Sequence, residues 1–450
     1  MEDKIIEESD KPTAPLRYLQ RLKKPAIFGV LSLLILTMNL YFSLTLPFLT
    51  DEIVKNRKQR AIIGGVLAGT LPFVGAVTSL IAGSVASKTT VKMMVGWSGV
   101  ALFLTSIVFV IPMFNNALFD VSVVICRAIQ GAALGLAEPM VVAVMGSIYK
   151  DSLGMVTAIY ELTFSASLAL GPFMGGFLYD VGGFYLPFVV TGSLHLIMSI
   201  IAIIAITKSA KERSEEDTTL TNANETTSRM KSLLRLPILL LGIVVMSFVA
   251  ADEAFIGNFL AVYMKDSYQK TVEVTGTILM VCGVCYSFAI MLFGYLTDRG
   301  LSRAVTTLLG FIVLIIGTLL IDVSLFGAVW PSYVYPGIMF GLVEVGSAMI
   351  QVCILPLLVF HDGQPDQERS TEAMTGVYNA GFFIGAFIGP LVGSALVDLL
   401  SFPKTFIIFA AVMFAVFVII EIANLKMKNL LNMKGNLIIE PYSDYAYRTL

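Results

Sequence analysis

Six ionisable side chains stand inside apolar stretches of this 450-residue chain: Arg127, Glu138, Glu161, Asp252, Glu253 and Glu344. A charge at the centre of a membrane helix costs about 2.5–3.5 kcal/mol on insertion scales, and several together cost on the order of 10 kcal/mol. Groups kept against such a penalty face a wet cavity or one another. Carboxylates lining a cavity can attract a cation. They can also carry a proton, because a low-dielectric site favours the neutral acid. If a proton and an organic cation compete for the same acid, exchange follows, since binding of either permits rocking between inward-open and outward-open states.

The elements that must position these residues are membrane spans. Hydrophobic residues make up 56% of the chain and charged residues 14%, with a mean hydropathy of +0.83. A soluble globule carries roughly a quarter charged residues. Here apolar runs alternate with short polar breaks, and each run has about the 20 residues that cross a hydrocarbon core. The expected class is an all-α polytopic membrane protein of twelve transmembrane helices in two pseudo-symmetric six-helix bundles. The spans fall near 26–49, 61–86, 93–113, 119–148, 153–179, 184–207, 236–264, 273–297, 303–323, 332–360, 372–397 and 403–426. The expected domains are an N-terminal tail (1–25), a first bundle (26–208), a linker (209–235), a second bundle (236–426) and a C-terminal tail (427–450).

With both termini in the cytoplasm, 22 of the 30 Lys and Arg residues lie on that side and seven on the other, while Arg127 lies within a span. This is the positive-inside bias. The loop carrying Lys55, Arg57, Lys58 and Arg60 is its exception. No cleavable signal is expected, because the first apolar run is too long for a signal-peptide core. The sequon Asn224-Glu-Thr226 lies in the linker, on the cytoplasmic side, where glycosylation does not reach it. Cys126, Cys282, Cys285 and Cys353 all fall in spans and suit ordinary packing. The C-terminal Tyr447-Arg-Thr-Leu450 has the Tyr-x-x-apolar form that vesicle-sorting adaptors read. No cofactor, metal or nucleic-acid partner is expected.

The two halves carry matching signatures. Ser167-Leu-Ala-Leu-Gly171-Pro172-x-x-Gly175-Gly176 in the fifth span is repeated by Gly385-Ala-Phe-Ile-Gly389-Pro390-x-x-Gly393 in the eleventh. Gly294-Tyr-Leu-Thr-Asp298-Arg299 closes the eighth span, and Gly83-Ser-Val-Ala-Ser87-Lys88 closes the second. Asp298 and Arg299 are placed to tie neighbouring helices in one conformational state, and Ser87 in place of an acid weakens that lock in the first half. The small residues of the Gly-Pro motifs let helices approach closely. Pro172 and Pro390 each remove a backbone hydrogen bond and permit bending.

Used as a ruler, the repeat pairs Arg127 with Glu344, Glu161 with Asn379, and Asn39 with Glu253, at separations of 217, 218 and 214 residues. That suggests one polar layer at the interface of the halves, where transporters of repeated design bind substrate. Three carboxylates against one guanidinium make the layer acidic and favour cations. Glu138 and Asp252 find no matched mate. Adjacent helical positions point about 100° apart, so Asp252 and Glu253 cannot both face a cavity squarely, and Glu253 is favoured. Tyr160, Tyr263, Tyr378 and Phe383 could offer cation–π faces or simply pack.

This arrangement resembles the major facilitator superfamily over nearly the whole chain. The likeness rests on the six-plus-six spans, the central linker, the Gly-x-x-x-Asp-Arg loop, Arg127-Ala-Ile-Gln130-Gly131 and the Gly-Pro…Gly-Gly fifth span. Within it, the run from Glu161 through Gly171-Pro172-Phe-Met-Gly175-Gly176 to Tyr179 is similar to the polyamine branch of the vesicular amine transporters. The resemblance implies substrate or proton binding at Glu253 and Glu344, and proton coupling in the region of Arg127, which could instead simply pair with an acid to hold the fold. It implies that Glu161 could hold a second amine. Monoamine carriers of that family have aspartates near Met38–Asn39 and at the position of Asn379, and this chain lacks both.

The expected function is therefore proton-coupled antiport of organic cations, polyamines or related amines, into acidic vesicles. The alternatives are a broad drug or metabolite exporter of the same superfamily at the plasma membrane, and a transport-inactive scaffold. An enzyme is not expected, since the chain shows no nucleophile–base set or phosphate loop and contains two histidines, His195 and His361.

Overall fold

The computed structural model describes residues 14–56, 58, 60–82, 88–109, 116–149, 153–212, 237–326, 331–360 and 367–433. Twelve of its helices are long and apolar enough to cross a membrane. In the first half these are α1 (Ala14–Ser43), α2 (Ala61–Ala82), α3 (Lys88–Val108), α4 (Asn116–Ile148), α5 (Leu153–Gly182) and α6 (Leu186–Glu212). In the second half they are α7 (Pro237–Tyr268), α8 (Val272–Asp298), α9 (Arg303–Leu320), α10 (Val334–Phe360), α11 (Gln367–Leu399) and α12 (Phe402–Met433). Large apolar side chains are exposed around the outside, among them Trp97, Phe288, Met291 and Ile419, as a surface bathed in lipid requires.

Several ends depart from the sequence expectation, the largest being the start of α1, which begins at Ala14 inside the expected N-terminal tail instead of at 26. The first span stops at Ser43 instead of running to 49, because Pro47 cannot continue the helical hydrogen-bond ladder, and a short turn at Leu49–Asp51 follows. Helices α6 and α12 continue past the apolar runs to Glu212 and Met433, since polar residues can prolong a helix outside the hydrocarbon. The central sequon and Tyr447–Leu450 lie outside the described residues.

The same helix pairs recur in both halves. Helix α1 packs on α5 as α7 packs on α11, α2 on α4 as α8 on α10, and α3 on α4 and α6 as α9 on α10 and α12. Each half surrounds its own buried cluster, one holding Phe48, Phe109, Phe119 and Phe188, the other Phe255, Phe259, Phe311 and Phe406. The halves meet along two further equivalent pairs, α5 on α8 and α2 on α11.

The Gly-Pro motifs explain both levels of packing. A Cβ on Gly171 would collide with Ser43 of α1, and one on Gly389 with the Ala251 carbonyl of α7, so each glycine seats its helix on the first helix of its own half. The neighbouring prolines face the other half. The Pro172 carbonyl lies where a side chain on Gly276 of α8 would be, and the Pro390 carbonyl where one on Gly65 of α2 would be. These backbone approaches are the close packing that small residues allow.

Two carboxylates fasten the same seams at the face opposite the chain termini. Asp398, at the end of α11, accepts from the amides of Ala61 and Ile62 at the start of α2, at 2.9 and 3.0 Å. Its Oδ2 also lies 3.6 Å from Arg60 Nε. Asp180, near the end of α5, accepts from the Glu273 amide at the start of α8 at 3.1 Å. Each acid therefore caps a helix of the opposite half, satisfying orphan amides and the positive end of its dipole. A third tie joins Lys265 of α7 to Asp51 at 2.9 Å.

Capping contacts are worth about 1 kcal/mol each, so Asp180→Ala with Asp398→Ala should shift the balance roughly thirtyfold toward opening at this face. Spin labels at the exposed positions Val181 and Leu399, on opposite halves, should then report a longer and broader distance distribution. An unchanged distribution would show that the caps do not hold the seam.

Candidate binding site between the two halves

A small cavity of about 60 Å³ lies at the seam. Its wall is built by Phe42 and Leu46 of the first half's leading helix region, Leu168 and Pro172 of α5, Ala250, Glu253, Ala254 and Gly257 of α7, Leu279, Gly283 and Tyr286 of α8, Phe340 and Glu344 of α10, and Phe382 of α11. Among the described residues, Glu253 and Glu344 are the carboxyl groups of this wall, and no lysine, arginine or histidine belongs to it. Phe42 and Phe382 meet across the halves with ring centroids 6.0 Å apart. The result is an apolar, aromatic chamber with negative charge on one side, a combination suited to an amine with an alkyl or aromatic body.

The two acids are held differently. Gln351 Nε2 donates to both oxygens of Glu253, at 3.2 and 3.4 Å, and to Ser347 Oγ at 3.0 Å. Tyr286 OH donates to Gln351 Oε1 at 3.0 Å, which fixes the amide's orientation. Glu344 makes no hydrogen bond among the described residues, so its carboxylate is left to whatever occupies the chamber.

Asp252 points elsewhere. It is fully buried, and its Oδ2 accepts from Thr318 of α9 at 2.7 Å while Oδ1 has no partner among the described residues. The chain thus places Glu253 in the chamber and Asp252 within the second bundle, on different faces of α7.

Arg127 is also away from the chamber. It is 1% exposed, and its Nη1 and Nη2 donate to the Tyr41 carbonyl at 3.0 Å and Thr45 Oγ1 at 3.1 Å. It joins α4 to the end of α1, and it does not meet Glu344. The single polar layer expected from the repeat therefore divides into an acidic chamber and a separate cationic tie inside the first bundle.

Asn39 is hydrogen-bonded to Glu138, a residue that the sequence comparison left without a mate. Its Nδ2 donates to Glu138 Oε1 at 2.7 Å and to the Ile35 carbonyl at 3.2 Å, and Tyr160 OH donates to the same Glu138 oxygen at 3.2 Å. Asn39 and Glu138 are 99 residues apart, which is why no local pattern links them. For Glu161 on α5, Asn379 on α11 and Asp298 at the end of α8, the backbone is helical and the side chains lie outside the described ones. Arg299 stacks over Tyr295, its guanidinium carbon 4.5 Å from the ring centroid. Tyr263 packs among Tyr268, Phe402 and Phe406, and Phe383 against Phe382. His361 and the side chain of Tyr378 lie outside the described ones.

Two six-helix halves around a central chamber define an integral, multi-pass membrane transporter. The Major Facilitator Superfamily model matches residues 26–371 and 248–426, and the chain belongs to that family. That is a family of membrane transporters, not of enzymes. Among curated relatives, the synaptic vesicular amine transporter of Bos taurus is 24% identical over 339 residues, covering 71% of this chain and 61% of that protein. The chain thus spans less than two thirds of that relative's length. The MFS-type transporter SLC18B1 of Mus musculus is 20% identical over 400 residues, covering 85% and 83%. The multi-drug resistance efflux pump PmrA of Streptococcus pneumoniae serotype 4 is 23% identical over 372 residues, covering 81% and 87%. A crystal structure of a bacterial homolog of the human lysosomal transporter Spinster, inward-facing and unoccupied, shares the fold with a TM-score of 0.64 at 12% identity, covering 89% and 95%.

Asp252 depends on one hydroxyl. Thr318→Val keeps the side chain's shape and removes that donor, so it should destabilise the second bundle by about 1–3 kcal/mol. The measurement is thermal unfolding of the purified protein in detergent, with Thr277→Val, which removes an exposed hydroxyl bonded to the Glu273 carbonyl of its own helix, as the control. Equal melting temperatures for the two variants would remove Asp252 from a structural role.

Proposed function

We propose that the protein is a proton-coupled antiporter that moves organic cations, polyamines or related amines, into acidic vesicles by alternating access. The observation that carries this is the chamber itself, where Glu253 and Glu344 stand in a largely apolar wall with no basic counter-group among the described residues. Two carboxylates facing one space resist being ionised together, so one proton and one ammonium group can exchange places there. The amine enters while the chamber is open to the cytoplasm, and protons from the acidic side displace it after the halves rock. The charge bias of the loops supports cytoplasmic termini, which makes the seam closed by Asp180 and Asp398 the lumenal face. Similarity to vesicular amine transporters supports both the substrate class and the compartment.

Arg127 would act indirectly. By tying α4 to the Tyr41 carbonyl and Thr45 it keeps α1 in register as the halves move. Glu161, Asn39 and Asn379 remain candidate polar contacts for the substrate, and Asp298 and Arg299 candidates for a cytoplasmic lock. A second reading, export of varied hydrophobic cations at the plasma membrane, is favoured by the largely apolar wall and by the similarity to a multi-drug efflux pump.

The test is uptake of radiolabelled spermidine, serotonin and a neutral solute into proteoliposomes with an acid interior. Amine uptake should collapse when the gradient is dissipated, and Glu253→Gln and Glu344→Gln should each abolish gradient-driven uptake. Uptake that ignores the gradient would sink the coupling, and wild-type rates in either variant would remove that residue from the site. Ethidium carried in preference to spermidine would favour the second reading.

A further inference from the structure

The hydrogen bonds of the two halves obey a symmetry that their charges hide. Asn39 on α1 and Glu253 on α7 are 214 residues apart, and Glu138 on α4 and Gln351 on α10 are 213 apart. In the first half the amide of Asn39 donates to Glu138, at 2.7 Å. In the second the amide of Gln351 donates to Glu253, at 3.2 Å to the nearer oxygen. Equivalent helix pairs therefore carry the same acid–amide bond, with acid and amide exchanged. A tyrosine from the α5–α8 seam completes each pair, Tyr160 on Glu138 at 3.2 Å and Tyr286 on Gln351 at 3.0 Å.

We propose that Glu138 is the first half's cation-binding carboxylate, and that Glu138 and Glu253 together clamp a substrate bearing two ammonium groups. This rests on the amine-transport reading above and adds to it the site's preference for dications. Parallel repeats are related by an axis along the membrane normal, so equivalent residues sit at equal depth on opposite sides of that axis. Glu138 and Glu253 thus belong to one level of the molecule; Glu138 is not among the residues of the chamber wall, but its side chain is only partly buried.

The surroundings of Glu138 leave its charge available. Both of its hydrogen bonds come from neutral donors and both reach Oε1, while Oε2 accepts none among the described residues. Neutral donors orient a carboxylate without neutralising it. Arg127 lies eleven residues earlier on the same helix, about 16 Å along the axis, with its terminal nitrogens turned to α1. Asn39 is locked in place because its Nδ2 also donates to the Ile35 carbonyl. A monoamine needs one of the two acids, whereas a diamine uses both.

The test compares radiolabelled 1,4-diaminobutane with n-butylamine, which has the same carbon chain and one charge, in proteoliposomes of the full chain. Glu138→Gln keeps the Asn39 hydrogen bond and removes the charge. It should raise the KM for the diamine about tenfold or more and leave that for the monoamine unchanged. The exchange variant Asn39→Asp with Glu138→Gln moves the acid to the first helix, as in the second half, and should restore diamine transport. Equal effects of Glu138→Gln on both amines, or none on either, would overturn the clamp. So would failure of the exchange variant to restore transport while it unfolds at the wild-type temperature. A wild-type protein that carries neither amine would overturn the amine reading itself, and the clamp with it.

Discussion

Hydrocarbon cannot solvate a charge, so every ionisable side chain in these spans must find donors or acceptors within the protein or border a wet space. That constraint sorts the buried charges by the company they keep. Arg127 is surrounded and turns to a main-chain carbonyl and a threonine, and Asp252 is surrounded and turns to Thr318. Both are enclosed inside one bundle, away from the chamber, although Asp252 Oδ1 and Arg127 Nε find no partner among the described residues. Glu253 and Glu344 border the chamber, the first steadied by a neutral amide and the second by nothing among the described residues. A charge with its partners in place is architecture. A charge that borders the chamber with only neutral partners has interaction left for a ligand.

The seam between the halves has the opposite character from their cores. Each core is filled with interlocked aromatic rings, such as Phe255 stacked on Phe409 with centroids 4.6 Å apart. The seam brings backbone to backbone at Pro172 with Gly276 and at Pro390 with Gly65, with a few ring contacts beside them, among them Phe73 with Phe387 and Phe42 with Phe382. Main-chain contacts with few interlocked side chains between them can slide or part at less cost than a densely interlocked core. The rims of the seam add exposed contacts that water can replace, Asp398 to the α2 amides and Asp180 to the Glu273 amide. Two rigid bodies joined by a smooth, dismountable contact are what alternating access requires.

Much of this was legible in the sequence, for reasons that differ by feature. The twelve spans could be read because length and hydropathy are set by bilayer thickness, a property of the solvent. The choice of Glu253 over Asp252 for the chamber came from the repeat, which pairs Glu253 with Asn39, together with helical periodicity, which lets only one of two adjacent residues face the cavity squarely. The end of the first span was missed because Pro47 interrupts an apolar run without interrupting its hydropathy. Arg127 was matched with Glu344 because a spacing measured on the fifth and eleventh spans was carried to the fourth and tenth. The hydrogen bonds there favour a spacing of 213, and the difference from 217 is about one helical turn. Glu138 had a mate all along in Gln351. A search for charge opposite charge passes over an amide, although an amide and a carboxylate are nearly the same shape.

The exchange of acid and amide between the halves has its own logic. If both members of a pair were acids, like charges would sit within hydrogen-bond distance and one would have to keep a proton. If both were amides, the half would bring no charge to a cation. One acid and one amide on each side satisfies both limits, because the amide steadies the carboxylate without cancelling it. Which helix carries the acid is then free to differ. Here it is α4 in one half and α7 in the other, so the two carboxylates approach the axis from helices that are not equivalent. A duplicated frame can in this way present an unequal site, in which the two ends of a dication meet different walls and only one of those ends lies beside the further acid Glu344.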